Sequence, residues 1–136
     1  MSNVFAITAE ANQARLLAFR DLVDSAAQKG YIEFYSAARP GSITGTYTPA
    51  ARTTLARPCG TMVTGYLKLV PDAAGGEMVT TTATILWGRI FKGDGTPVAD
   101  GDVTDESGDG AFKLAGTAGT TLFAGGYLLL ATAGIG

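Results

Sequence analysis

Residues 79–110 read VTTTATILWGRIFKGDGTPVADGDVTDESGDG. The first thirteen are dense in β-branched and aromatic residues, which suit a pleated, half-buried strand. Read with a period of two, one face carries Thr82, Thr84, Leu86, Gly88 and Ile90. The other carries Thr81, Ala83, Ile85, Trp87, Arg89 and Phe91. Both faces are apolar around Trp87, so the strand either lies in the centre of a sheet under a helix or is partly covered by another chain. Trp87 is therefore a core residue or an interface anchor, since tryptophan serves both. Lys92-Gly93-Asp94-Gly95 supplies the positive-φ positions of a tight hairpin turn. Pro97 then opens a short edge strand over about 96–103. The Asp-Gly pairs at 100–101 and 109–110 read as further turns, whose carboxylates discourage stray edge pairing.

The Gly/Asp clusters fail as chemical motifs. In an EF-hand reading, Asp100, Asp102 and Thr104 occupy positions 1, 3 and 5. The required glycine is then Asp105, however, and the bidentate glutamate is Ala111. An irregular calcium site among Asp94, Asp100, Asp102, Asp105 and Asp109 is the one metal alternative, because calcium accepts varied oxygen ligands. No cofactor is expected: Gly93-Asp94-Gly95 lacks the third glycine of a dinucleotide fingerprint, and no Walker lysine follows. The chain has no histidine, so the Ser-His-Asp and Cys-His arrangements cannot form, and a non-enzyme is expected. Paired carboxylates of glycosidase type lack an aromatic sugar platform apart from Trp87. Cys59 is the only cysteine, which excludes an intrachain disulfide and reads as a small packed residue.

Working outward, Thr8 caps a helix predicted over about 9–28, with Leu16, Phe19, Leu22, Val23 and Ala26 at helical spacing. Its apolar stripe reads as core packing. A strand YIEFY follows at 31–35, with Ile32 and Phe34 on one face and Tyr31, Glu33 and Tyr35 on the other. Residues 37–60 hold three prolines, five threonines and three arginines and are predicted to be a long loop, with one short edge strand near 53–56. Strands then recur between 61 and 133 at intervals of about ten residues, each bounded by glycine. The whole is predicted as a single mainly β domain: an antiparallel β-sandwich, jelly-roll-like, with one N-terminal helix.

With 136 residues, 46% hydrophobic and only 16% charged, the surface carries more apolar area than a lone monomer usually exposes. That points to a partner or a homo-oligomer, a dimer first and a trimer next. The net charge of −2 gives no general case for nucleic-acid binding. No run approaches the ~20 apolar residues of a membrane span. The N-terminus has no signal-peptide pattern, so assembly in the cytoplasm is expected. Nine of the ten basic residues precede Gly93. Arg39, Arg52 and Arg57 share the Pro/Thr-rich stretch, which is either a solvated loop or an electrostatic docking surface for an acidic partner. The expected partner surface comprises Arg39, Arg52, Leu55, Arg57 and Trp87.

From Ala11 onward the order of elements resembles small structural proteins encoded among the head genes of tailed bacteriophages. NQARLLAFRDLVDSAAQKG leads into GYIEFYSAARP, LARPCG, GYLKLV and WGRIFKGDGTPVADGDV. The nearest in kind are the capsid cement or decoration proteins, some of them jelly rolls. The resemblance implies a virion protein on the outer capsid surface that bridges major capsid protein subunits, without carrying over any residue role. The alternative is a tail, baseplate or fibre-associated β domain, one that binds glycans in some forms.

Overall fold

A computed structural model describes residues 6–43, 45–73, 76–116 and 119–135. In chain order the elements are α1 (Ala9–Val23), β1 (Tyr31–Tyr35), β2 (Ala51–Val63), β3 (Tyr66–Pro71), β4 (Glu77–Met78), β5 (Ala83–Thr84), β6 (Trp87–Phe91), β7 (Pro97–Asp105), β8 (Phe112–Leu114), β9 (Thr121–Leu122), β10 (Tyr127–Leu128) and β11 (Leu130–Ile135). The chain is mainly β with one N-terminal helix, as its sequence indicates. Its main sheet, however, is one closed barrel, ordered β1-β2-β3-β11-β8-β7-β6 and returning to β1, where a two-layer sandwich was expected. Closure removes the edges that a sandwich must protect. All neighbours in the barrel are antiparallel except β7 and β8, which run parallel. Two short ribbons, β4–β10 and β5–β9, stand outside the barrel.

Alternation sorts the barrel's residues. Ile32, Phe34, Leu55, Leu67, Leu69, Ile90, Phe112 and Leu114 belong to one buried cluster. Gly88 and Gly101 face each other across β6 and β7. A Cβ on Gly88 would sit 3.2 Å from the Phe34 ring, and one on Gly101 would sit 2.9 Å from Phe112. The two missing side chains make room for the Phe34 and Phe112 rings, which meet edge to face at 6.0 Å. Small residues set against large ones let side chains interdigitate in a barrel interior. The helix lies against β2 and β3 through the fully buried Leu16 and Val23.

Four expectations about the elements are corrected. The helix starts on the predicted cap, with Thr8 Oγ1 accepting from the Ala11 amide at 3.0 Å, but ends at Val23 rather than near Gln28. Arg57 draws the carbonyls of Ala26, Ala27 and Gln28 to its guanidinium, and Asp24 accepts from the Cys59 amide, so the last predicted turn gives way to tertiary bonds. The predicted loop 37–60 is a loop only to Ala50. Residues 51–60 belong to the 13-residue β2, which pairs with β1 and β3. Pro58 falls inside the register shift between Leu55 and Gly60, where the interrupted ladder needs no amide donor. The single strand predicted across 79–91 is divided, because Ala83–Thr84 pairs with β9 while Trp87–Phe91 pairs with β1 and β7. Finally, Asp100-Gly101 is not a turn but the middle of β7. The KGDG hairpin forms as expected: Gly95 has φ +90°, and Asp94 Oδ1 accepts from the Thr96 amide at 2.9 Å.

Candidate functional site

The outer wall of the barrel over β1, β6 and β7 carries the densest polar and aromatic chemistry. Register places Arg52, Glu33, Arg89 and Asp100 in one cross-strand rung from β2 to β7. Tyr35, Trp87 and Asp102 form the next rung. The described residues of the loop between β1 and β2, Ser42, Gly45 and Tyr47 among them, lie against this wall as a strap.

Beneath the strap Arg89 is 1% exposed. Its Nε and Nη2 donate to the two carboxylate oxygens of Asp100 at 2.6 and 3.0 Å, a two-point geometry that matches the guanidinium fork. Its Nη1 and Nη2 also donate to the strap carbonyls of Gly45 at 3.1 Å and Ser42 at 3.5 Å. The hydrogen bonds that Arg89 donates to Asp100 raise the Arg89 pKa further above its ordinary value, against the opposing effect of burial. Trp87 stacks on Tyr35 at 4.3 Å, and Tyr47 of the strap meets Tyr35 and Trp87 edge-on at 6.0 and 5.4 Å. The Arg89 guanidinium carbon lies 5.1 Å from the Trp87 ring centre. Burial, aided by nearby Glu33, pushes the Tyr35 phenol well above its usual pKa, so it stays a neutral donor to Glu33 at 3.3 Å.

The structure separates the residues expected at a partner surface. Arg39 is exposed and ion-paired with Asp102 at 2.8 Å. Arg52 is exposed, its guanidinium 3.6 Å above the Tyr31 ring. Arg57 is exposed too, but its guanidinium is held by the three carbonyls that follow α1. Leu55 and Trp87 are both 0% exposed, Leu55 inside the barrel and Trp87 under the strap, so neither reaches a partner in this arrangement. Trp87 is packed outside the barrel wall rather than within it, and its indole N–H has no acceptor among the described residues.

The five aspartates considered for calcium are dispersed. Asp100 serves Arg89, Asp102 serves Arg39, Asp94 caps the hairpin, and Asp105 binds Ser107 and the Gly119 amide. Among the described residues no three Asp, Glu, Cys or His side chains come together to hold a metal. Cys59 is fully buried, and burial together with Asp24 pushes its thiol pKa up to about 12, so it is no nucleophile at neutral pH.

Two further surfaces stand out. A hollow of about 500 Å³ is lined by Lys29, Arg52, Arg57 and Thr54. The two ribbons form an apolar corner: Met78 and Tyr127 are direct cross-strand partners, 60% and 61% exposed. The Phe123–Gly126 turn is bonded to Val79 beside them and leaves Phe123 67% exposed. Sequence reading singled out neither Glu33 nor Tyr47 nor this corner, and it weighed Asp100 only as a calcium ligand or turn residue. Alternation had placed Tyr31, Glu33 and Tyr35 on one face and Trp87 and Arg89 on another, but only the pairing register joins the two faces. No family model matches the chain, and no curated protein or solved structure is significantly similar to it.

Proposed function

We propose that the protein is a structural component of a tailed-phage virion that binds the outer capsid surface and bridges neighbouring major capsid protein subunits. The observation that carries this reading is the apolar corner of Met78, Phe123 and Tyr127, three large side chains each at least 60% exposed on ribbons outside the barrel. Such a patch, free of charge, is the kind of surface that is normally covered by another protein. The Arg39- and Arg52-bearing side wall provides a second contact of different chemistry, suited to steering and register on an acidic subunit. Two patches on one rigid barrel can span a junction between subunits and gain from effective concentration. The jelly-roll kinship, the virion location after assembly in the host cytoplasm, and a dimer on a capsid two-fold belong to the same proposal, as does a binding rather than catalytic role.

Co-sedimentation with purified empty heads and with isolated tails tests it. Association with heads, lost in the Phe123→Ser/Tyr127→Ser double variant at unchanged thermal stability, is the expected result. Binding to tails but not heads would replace this reading with that of a tail, baseplate or fibre domain. Arg52→Ala is the cleaner electrostatic variant, because Arg57 also ties down the segment after α1; it should weaken association mainly at low salt.

A further inference from the structure

The rung Arg52–Glu33–Arg89–Asp100 alternates in charge, yet Glu33 is bypassed on both sides. Arg89 turns both of its carboxylate-facing nitrogens to Asp100. Arg52 lies over the face of Tyr31 instead. Among the described residues Glu33 forms no ion pair and accepts one hydrogen bond, from the Tyr35 hydroxyl. Its carboxylate lines a cleft of about 260 Å³ walled by Tyr31, Tyr35, Tyr47 and Phe91, between the strap at Gly45 and the hairpin at Gly95 and Pro97. Arg52 does not line this cleft; it borders the neighbouring basic hollow, with Tyr31 between the two.

We propose that this cleft is a receptor for an organic cation, the ammonium of a lysine or the guanidinium of an arginine carried on a partner's side chain. Aromatic rings present negative faces to a cation, and a carboxylate with unused lone pairs completes its coordination. Among the described residues lining the cleft the one cation, Arg89, is paired at two points with Asp100, which leaves Glu33 without an ion pair of its own. The volume falls below the ~300–1,000 Å³ of sites for drug-sized molecules, so it suits one side chain rather than a peptide segment. The site itself stands apart from the capsid reading; only the source of the cation, a docked protein subunit, rests on it.

Isotope-edited NMR on the full chain tests the site without any capsid. The probes are N-acetyl-lysine methylamide and N-acetyl-arginine methylamide, with N-acetyl-norleucine methylamide as the uncharged control and a panel of free hexoses. At least one cationic probe should give saturable shifts at Glu33, Tyr47 and Phe91, with norleucine about tenfold weaker or worse. Glu33→Gln should weaken the cationic probe by about tenfold while leaving the fold unchanged. Raised salt should weaken the wild type in parallel, which decides the matter even if that variant misfolds. Equal affinity for norleucine, occupancy by a hexose in place of the cations, or no shift at these residues would each overturn the assignment. Competition of the same probes against head binding then reports the source: displacement supports a subunit side chain, and head binding insensitive to saturating probe rejects it.

Discussion

Breaking the Arg89–Asp100 pair should unfold the protein more readily than any exposed charge substitution. Both side chains are buried, at 1% and 5% exposure, although they lie outside the barrel wall. The strap over them excludes water, so neither ion can be rescued by solvent when its partner is removed. Breaking a buried pair in this way costs about 3–5 kcal/mol. For a chain of this size that corresponds to a fall of about 10–20 °C in Tm. Arg89→Met and Asp100→Leu should each show that loss. The Arg89→Met/Asp100→Leu double variant should recover at least about 2 kcal/mol relative to their sum, since it leaves no buried charge unpaired. The double variant still forfeits the Arg89 bonds to the Gly45 and Ser42 carbonyls, so it should stay somewhat below wild type. Urea titration followed by circular dichroism measures all four members of the cycle, with unchanged m-values as the check on two-state behaviour. Single variants costing below about 1 kcal/mol, or strict additivity, would refute a desolvated pair under a closed strap.

Tyr47→Ala removes the strap residue that meets the Trp87 and Tyr35 rings, and Trp87 is the sole tryptophan, so its emission should shift to longer wavelength with a loss of about 1–3 kcal/mol in stability. An unshifted spectrum would mean the strap does not shield the indole. The Cys59 thiol is held protonated in the fold, its pKa raised from 9.0 to about 12 chiefly by burial. Its contribution to stability is therefore complete below about pH 9 and declines as pH rises toward 12, by at most about 1.4 kcal/mol per pH unit. Cys59→Ala should flatten that part of the alkaline stability profile, and native Cys59 should resist alkylation at pH 8 until the chain opens. Gly93→Ala would push a methyl into the carbonyl of Gln28, a backbone contact that cannot swing aside. A loss of about 1–3 kcal/mol is expected by thermal denaturation, against near neutrality for Gly41→Ala, where a Cβ would meet nothing within 4 Å.

The parts of the fold legible in the sequence are those ruled by local physics. Thr8 caps the helix because its hydroxyl meets an amide three residues on. The KGDG hairpin forms because Gly95 supplies the positive φ that a side chain would resist. Alternation told which faces Tyr31–Tyr35 and Trp87–Phe91 present, since successive Cβ atoms point to opposite sides of a strand. What these rules left open was decided by non-local pairing. Residues 51–60, rich in threonine, proline and arginine, become a strand because β1 has a second edge to fill and the barrel closes only if β2 fills it. The predicted last turn of the helix gives way to bonds from residues some thirty positions later: the Arg57 guanidinium donates to the carbonyls of Ala26, Ala27 and Gln28, and the Cys59 amide donates to Asp24. The strand through Ala83 and Trp87 divides because β9 and β1 claim its two halves. The candidate site follows the same division: its residue types and faces are properties of the chain alone, while the setting of Glu33 beside Arg89 and under Tyr47 depends on the register between distant strands. Sequence alone sets which side of a strand a residue faces, because that is a property of one backbone; only closure of the barrel and its strap decides which charges meet and which, like Glu33, are left waiting.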